Sequence, residues 1–313
     1  MASYVLKRFT GMIVVLFVVA TIVFVIVRIA PGDPAAVMLG PDATPSDIAA
    51  LRDRLGLNQP LLVQFGVYLG QILTGDLGDS IFLNMPVLTA LGQRAEPTFF
   101  LTLFSILIAT VIALPIGILS AYHRGSLFDQ ASTTLAMFAA SVPSFWLALI
   151  LIQVFAVRLG WFPVAGYGGP DTTLLERLHH LVLPAVTLGV VSSALILRFT
   201  RASMLDVLDD DYIRTARSKG MAETPVILKH AFKNALIPIL TVIGITAALL
   251  ISGAIVTETV FGLPGVGNLV VSAVMRRDYP VIQGALLVVA ALYVLINFAI
   301  DMLYLVIDPR VRF

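Results

Sequence analysis

The stretch that decides the fold is DDDYIRTARSKGMAETPVILKHAFKNALIP, Asp209–Pro238, the longest polar and basic segment in a chain that is otherwise mostly apolar. The three aspartates at 209–211 stand where the N-cap and first turn of a helix belong. Gly220 suits the left-handed residue that closes such a helix, and Thr224–Pro225 predicts the N-cap and first residue of a second one. The stretch therefore predicts a rigid helix–turn–helix, with a solvated connecting loop as the plain alternative.

Composition places the rest of the chain in a membrane. The sequence is 58% hydrophobic and 12% charged, and soluble domains carry roughly twice that charged fraction. The net charge of +1, without a basic stripe interleaved with aromatics, argues against nucleic acid as a partner. The absence of cysteine excludes disulfides and thiol catalysis.

Apolar runs long enough to cross a bilayer recur along the sequence. Each reaches the roughly 20 residues that a spanning helix requires, and the first is longer than the core of a signal peptide. We predict an all-α membrane protein with six transmembrane helices, at about Phe9–Val27, Phe99–Tyr122, Ala131–Val157, Leu181–Thr200, Ala235–Val260 and Val281–Ile307. We further predict one transmembrane domain over 1–313, made of a first helix and long outer loop (1–98), a five-helix core with a connecting loop at 203–234 (99–307) and a tail (308–313).

Basic residues give the orientation. Lysine and arginine are denser on the side that would hold both termini and the 203–234 loop. The positive-inside tendency therefore predicts that both termini and this loop are cytoplasmic.

The outer loops carry helix signals of their own. Thr44–Asp47 predicts a helix start and Gly56 its end, Pro60–Thr74 has the spacing of an amphipathic helix, and Pro86–Gln93 suggests a third helix. The sequence GLPGVGN at Gly262–Asn268 fits either a short re-entrant piece or a turn.

A few polar residues fall inside the predicted spans, where each is costly. Arg198 and Asp301 lie at matched depth, which suggests an ion pair, although Arg198 would equally reach the interface by snorkelling. We interpret the others as candidates to line a polar pathway, with back-bonding to the residue's own helix as the alternative for any single serine. They are Ser141, Ser144, Gln153, Ser192, Ser193, Ser252, Glu258 and Asn297.

Several catalytic motifs are missing from the sequence. It contains no G-x-x-x-x-G-K-[ST] phosphate loop, no H-E-x-x-H and no G-x-S-x-G. The histidines show no spacing that would present two metal ligands on one helix face. We therefore expect a conduit with no catalytic residue, and with no metal or cofactor bound by this chain.

Several motifs in the right order carry a resemblance to a known family. Asp211–Pro238, with Ala216, Gly220, His230 and Asn234 in place, resembles the cytoplasmic "EAA" loop of ABC-importer permeases, with Arg214-Thr215-Ala216 where that motif begins. The rest of the chain resembles B-type subunits of the branch that contains dipeptide, oligopeptide, glutathione and nickel permeases. The matching segments are Ala30–Pro34, Leu55–Pro60, Gly75–Gly78, Gly253–Glu258, Arg277–Pro280 and Asp308–Arg310.

The resemblance implies a fold and a set of partners. It implies a type I ABC-importer permease in the bacterial inner membrane, paired with a second permease. Two ATP-binding subunits would carry ATP and magnesium, and a periplasmic or lipid-anchored binding protein would deliver the cargo. The helix Tyr212–Lys219 would couple to the ATPases, through Tyr212, Arg214, Thr215, Ala216, Lys219, Gly220, Met221 and His230.

Two questions stay open at this level. Di- and oligopeptides are the expected cargo, with glutathione or nickel as alternatives. An ion-coupled secondary transporter would show internal repeats and ionisable groups at mid-membrane, and few of either are seen. An intramembrane enzyme would need a nucleophile–base set, and none stands out.

Overall fold

The computed structural model describes residues 2–29, 33–40, 43–54, 56–169 and 171–307. The predicted tail and the Ala30–Gly32 part of one family motif therefore lie outside the described residues. The described chain divides into two compact units, of which unit 1 comprises Pro97–Gly267 with the chain from Ile296 onward, and unit 2 comprises Ala2–Glu96 with Asn268–Leu295.

The described residues are almost entirely helical, as the sequence predicts. Thirteen α-helices are described, and two π-helical stretches, Ile152–Arg158 and Val226–Ala231, follow α7 and α10. The helices are α1 Ala2–Ile29, α2 Pro34–Leu39, α3 Pro45–Arg54, α4 Leu61–Thr74, α5 Val87–Tyr122, α6 Leu127–Ser141, α7 Ser144–Leu151, α8 Leu174–Leu208, α9 Asp211–Ser218, α10 Glu223–Pro225, α11 Phe232–Val260, α12 Val266–Arg276 and α13 Tyr279–Ile307.

The six predicted spans all have counterparts. Five described helices are long and apolar enough to cross a membrane, and a bent pair formed by α6 and α7 brings the number to six. The span predicted at Ala131–Val157 corresponds to this bent pair, in which the chain turns by 97° between the two helices. Val142 is extended and Pro143 caps α7, as expected where a proline drives the preceding residue out of helical geometry.

Helix α8 is the centre of unit 1. It packs against α6, α7 and α11, and its 18-residue apolar window is 61% buried, the highest value among the spans described. Small residues bring α5 close to it: a Cβ on Gly189 would lie 2.7 Å from Ile108 Cγ2, and one on Gly117 would lie 2.8 Å from Thr200 Cβ. Since lipid provides little hydrophobic drive between helices, such close contacts account for much of the packing.

Within unit 2, α1 and α4 meet through aromatic rings. Phe65 of α4 lies 5.2 Å from Phe24 and 6.1 Å from Phe17 between ring centroids. Arg28 Nε donates to Gln64 Oε1 at 3.0 Å. Burial raises the pKa of Tyr68 to about 12, so this phenol stays neutral.

The predicted helices of the outer loop are partly confirmed. A helix follows Thr44, whose hydroxyl accepts from the Asp47 N–H at 3.2 Å, and α4 begins after Pro60. The separate helix predicted at Pro86–Gln93 is wrong, because these residues are the first turns of α5. Helices α2 and α12 were not predicted; α12 begins at Val266, within the GLPGVGN segment.

Candidate functional site

The 209–238 segment folds into the predicted helix and turn. Helix α9 begins at Asp211, places Arg217 in its last turn and is followed by Gly220 at φ +75°. Asp210 occupies the predicted N-cap, without a side-chain hydrogen bond, and Asp211 lies in the first turn, whereas Asp209 ends α8. The second helix begins at Glu223 after Ala222, two residues before the predicted start.

One aliphatic side chain anchors α9 to the rest of unit 1. Ile213 is fully buried, in a cluster with Met204, Val226, Ala235 and Ile239. No sequence signal was used to predict this anchor, although Ile213 is the one large aliphatic residue of α9 and a surface helix needs an inward-facing side chain. The anchor fixes the inner face of α9 and leaves its polar face exposed.

Two polar contacts add to this anchor. Arg217 donates to both carboxylate oxygens of Glu223, at 2.9 and 3.3 Å, across the turn at Gly220. Asn234 Nδ2 donates to the Tyr212 hydroxyl at 2.7 Å. The turn and the first helical turn of α9 are therefore each tied to the chain that follows.

That following chain is continuous with a span. Glu223–Pro225, the π-helical stretch Val226–Ala231 and α11 follow one another without a break. The prediction that the second helix runs directly into the apolar span is confirmed. The helix that follows the Gly220 turn therefore reaches α11 without a loop, and α9 is tied to it through the Arg217–Glu223 and Asn234–Tyr212 contacts.

The residues predicted to couple to the ATPases lie on an accessible surface. Ala216 and His230 are half-buried, and Ala216 packs against the cluster around Ile213. The exposed residues are Tyr212, Arg214, Thr215, Lys219, Gly220 and Met221.

A buried ion pair lies near the α9 end of unit 1. Arg201 Nε and Nη2 donate to the two oxygens of Asp129 at 2.5 and 2.8 Å, and Asp129 is only 4% exposed. The same carboxylate accepts from the Ser120 hydroxyl and, at 2.9 Å, from the Gly125 N–H. This cluster ties α5, α6 and α8 together, and no local sequence pattern predicts it.

Some of the predicted pathway residues come together in a groove of about 360 Å³ in unit 1, which we call the α8 groove. Its polar lining includes Ser144, Ser192, Thr246 and Arg198, and the apolar lining includes Leu249. It opens beside the break between α6 and α7. Two residues predicted separately, Ser144 and Arg198, thus share one cavity.

The other predicted pathway residues lie elsewhere. Ser141 is exposed and bonds to the Met137 carbonyl, whereas Ser193 is buried and bonds to the Val190 carbonyl. Gln153 is exposed and Asn297 is half-buried. The side chain of Ser252 lies outside the described residues.

Glu258 lies in the interior of unit 1. It is fully buried, and its Oε1 accepts from the Thr98 hydroxyl at 2.6 Å, while that hydroxyl accepts from the Val266 N–H at 2.9 Å. A Cβ on Gly265 would overlap the Glu258 carboxylate, and one on Gly267 would lie 2.8 Å from it. The glycines of GLPGVGN therefore let the backbone close around this acid, in what we call the Glu258 clamp.

The ion pair predicted between Arg198 and Asp301 is not observed. Arg198 is exposed in the α8 groove, and within the described residues no carboxylate lies at ion-pair distance from it. Asp301 is half-buried near the end of α13.

The sequence matches a family of transport proteins along most of its length. Residues 113–313 match the family described as binding-protein-dependent transport system inner membrane component, and residues 1–98 match its N-terminal counterpart. This chain belongs to that family. The permease is therefore an integral, multi-pass protein of the bacterial inner membrane and a component of an ABC transporter.

Relatives of similar length support the assignment. The permease is 45% identical over its whole length to a probable peptide ABC transporter permease, y4tP, of Sinorhizobium fredii. It is 42% identical to the dipeptide permease DppB of Alkalihalophilus pseudofirmus and 43% identical to the glutathione permease GsiC of Escherichia coli. Each alignment covers 100% of both chains.

A solved structure supports the fold. The inward-facing MetNI methionine ABC transporter superposes with a TM-score of 0.58 at 20% identity, covering 71% of the permease and 97% of that chain. The predicted ABC-importer fold is confirmed. Membership of this family also implies, in general terms, a partner permease, ATP-binding subunits and a solute-binding protein.

Proposed function

We propose that this permease pairs with a second permease to form the pathway for di- and oligopeptides in an ATP-driven importer. The observation that carries the proposal is the 209–238 segment, in which an exposed helix is anchored by Ile213 and tied by side-chain hydrogen bonds to the helix that continues into a span. A rigid helix transmits a push to the spans, which a flexible loop would not do. Closure of two ATP-binding subunits against α9 would then move the spans largely as rigid bodies.

The distribution of basic residues predicts the orientation of the 209–238 segment in the membrane. The higher density of lysine and arginine beside the termini and around α9 favours a cytoplasmic location for both. ATP and magnesium would bind to the partner subunits, since the sequence has no phosphate loop of its own. A periplasmic or lipid-anchored binding protein would load the opposite face, and the permease itself would carry out no catalysis.

Peptides are the cargo that the relatives favour. One is named a probable peptide permease and another a dipeptide permease. A third is named a glutathione permease, and glutathione is itself a tripeptide with amide groups and terminal charges. Glutathione is therefore the second candidate, and nickel is less well supported because it shares none of these groups.

Reconstituted transport tests the proposal. The permease is co-purified with its partner permease, ATP-binding subunits and binding protein, and incorporated into liposomes. We expect uptake of a labelled dipeptide that requires ATP on the side of the membrane that holds the ATP-binding subunits. Replacing ATP with a non-hydrolysable analogue should stop this uptake. Uptake of only glutathione or nickel would reassign the cargo, and uptake driven by an ion gradient without ATP would contradict the proposal.

A further inference from the structure

Two arginines one turn apart on α8 differ in their surroundings. Arg201 is neutralised by the buried Asp129. Arg198 is exposed in the α8 groove, and the described part of the chain places no carboxylate at ion-pair distance from it. A cation within a span is costly to keep, so its retention next to an open cavity points to a ligand.

The α8 groove has the composition of a small-molecule site. Apolar side chains from α8 and α11, including Leu188, Leu195 and Leu249, form most of its wall. Hydroxyl groups are supplied by Ser144 and Ser192. Mostly apolar walls with a few polar groups, at a volume of about 360 Å³, match the usual range for ligand pockets.

We propose that the α8 groove binds the C-terminal carboxylate of the transported peptide, and that Arg198 recognises it. Every linear peptide carries this group whatever its sequence, and a guanidinium binds a carboxylate through two parallel charge-assisted hydrogen bonds. Apolar walls accept varied side chains, and the serine hydroxyls suit amide groups. The inference rests on the proposed peptide transport. It adds that the α8 groove is the place in unit 1 where the charged C-terminal end of the peptide is recognised.

The groove volume favours a peptide over a fixed carboxylate from another subunit. A permanent ion pair across a subunit interface would account for the charge of Arg198. It would not account for the open space beside it or for the hydroxyls of Ser144 and Ser192 that share that space. A ligand that enters and leaves accounts for the charge of Arg198, for the open space and for the two hydroxyls.

Equilibrium binding to the purified assembly of both permeases and ATP-binding subunits, in nanodiscs without binding protein, tests the site. The probes are labelled trialanine and trialanine amide, which differ only in the terminal charge. We expect the wild-type assembly to bind the acid about tenfold or more tightly than the amide, as charge-assisted hydrogen bonds do. Arg198→Gln should remove this preference, and Arg198→Lys should keep much of it because the charge is retained.

Arg158→Gln is the matched control, because Arg158 is exposed in the same unit and outside the groove. It should bind both probes as the wild type does. The proposal is wrong if the wild type does not bind the acid, if it binds both probes equally, or if Arg198→Gln keeps the preference. Loss of the two-permease assembly in Arg198→Gln but not in Arg158→Gln would also overturn it, since Arg198 would then pair with another subunit. ATP-driven peptide uptake by the wild type judges the proposed function separately.

Discussion

At the residue scale, unit 1 depends on two buried carboxylates. Asp129 and Glu258 are both less than 5% exposed, and each accepts hydrogen bonds from other helices. A buried charge is tolerated when it is paired and fully hydrogen-bonded, and its removal from that setting is expensive. Because Asp129 pairs with Arg201, 72 residues away, and Glu258 with Thr98, 160 residues away, local sequence patterns cannot reveal either contact.

Removing Arg201 should destabilise the permease strongly. Arg201→Met leaves Asp129 buried without its cation, and we expect a loss of about 3 kcal/mol in the free energy of unfolding. Thermal and denaturant unfolding of the detergent-purified protein measure this loss.

Arg124→Met is the control, because Arg124 lies 3.7 Å from Asp209 in an exposed pair, and such pairs contribute little. Combining Arg201→Met with Asp129→Leu should recover much of the stability. Equal effects of the two single arginine changes would contradict the role of the buried pair.

At the element scale, the sequence predicts most of what the structure shows. Long apolar runs predict the spans, and glycine predicts the left-handed turn at Gly220, because these signals are local. The bend after Ser141 was missed because proline inside a membrane helix is often accommodated without a break. Ile213 was missed because its burial depends on a cluster built from α8, the π-helical stretch and α11. Helix α12 was not predicted because the three glycines at its start are typical of a turn rather than of a helix.

The turn between α9 and α10 should tolerate only residues that accept a positive φ. Gly220 has φ +75° and no neighbouring atoms within 4 Å of a built Cβ, so a substitution there tests backbone geometry alone. We expect Gly220→Val to strain the turn by about 1–2 kcal/mol and to lower transport-coupled ATP hydrolysis, measured in the reconstituted importer.

Gly220→Asn is the matched variant for this prediction. Asparagine adopts the left-handed conformation more readily than other residues, so coupled hydrolysis should stay near the wild-type rate. Equal loss in both variants would indicate that the glycine surface, rather than the turn geometry, contacts the ATPase.

At the scale of the whole molecule, helices long enough to span a membrane are joined by connecting segments, and the α9 segment is the one to which we assign the coupling role. The orientation of this segment can be tested directly, because the chain contains no cysteine. Asp171 and Ser218 are exposed residues that lie beyond opposite ends of α8. A single cysteine introduced at either position reports the side on which it lies.

We expect Ser218→Cys to react with a membrane-impermeant maleimide in inside-out vesicles and to be protected in intact cells with a permeable outer membrane. Asp171→Cys should show the reverse pattern. Modification is measured by a mass shift on a gel, with detergent-solubilised protein as the positive control. The same labelling pattern for both variants would contradict a spanning α8, and exchanged patterns would place α9 outside the cytoplasm.

The helical path from Glu223 to Val260 is unbroken, and under the proposed function it would act as a lever. At a rise of 1.5 Å per residue it is on the order of 55 Å long, so a rotation of about 5° about one end displaces the other by about 5 Å. At the near end Glu223 accepts the hydrogen bond from Arg217, and the far end carries the Glu258 clamp. Under the proposed function, a small tilt imposed at α9 would arrive at the start of α12 as a movement comparable to the pitch of a helix.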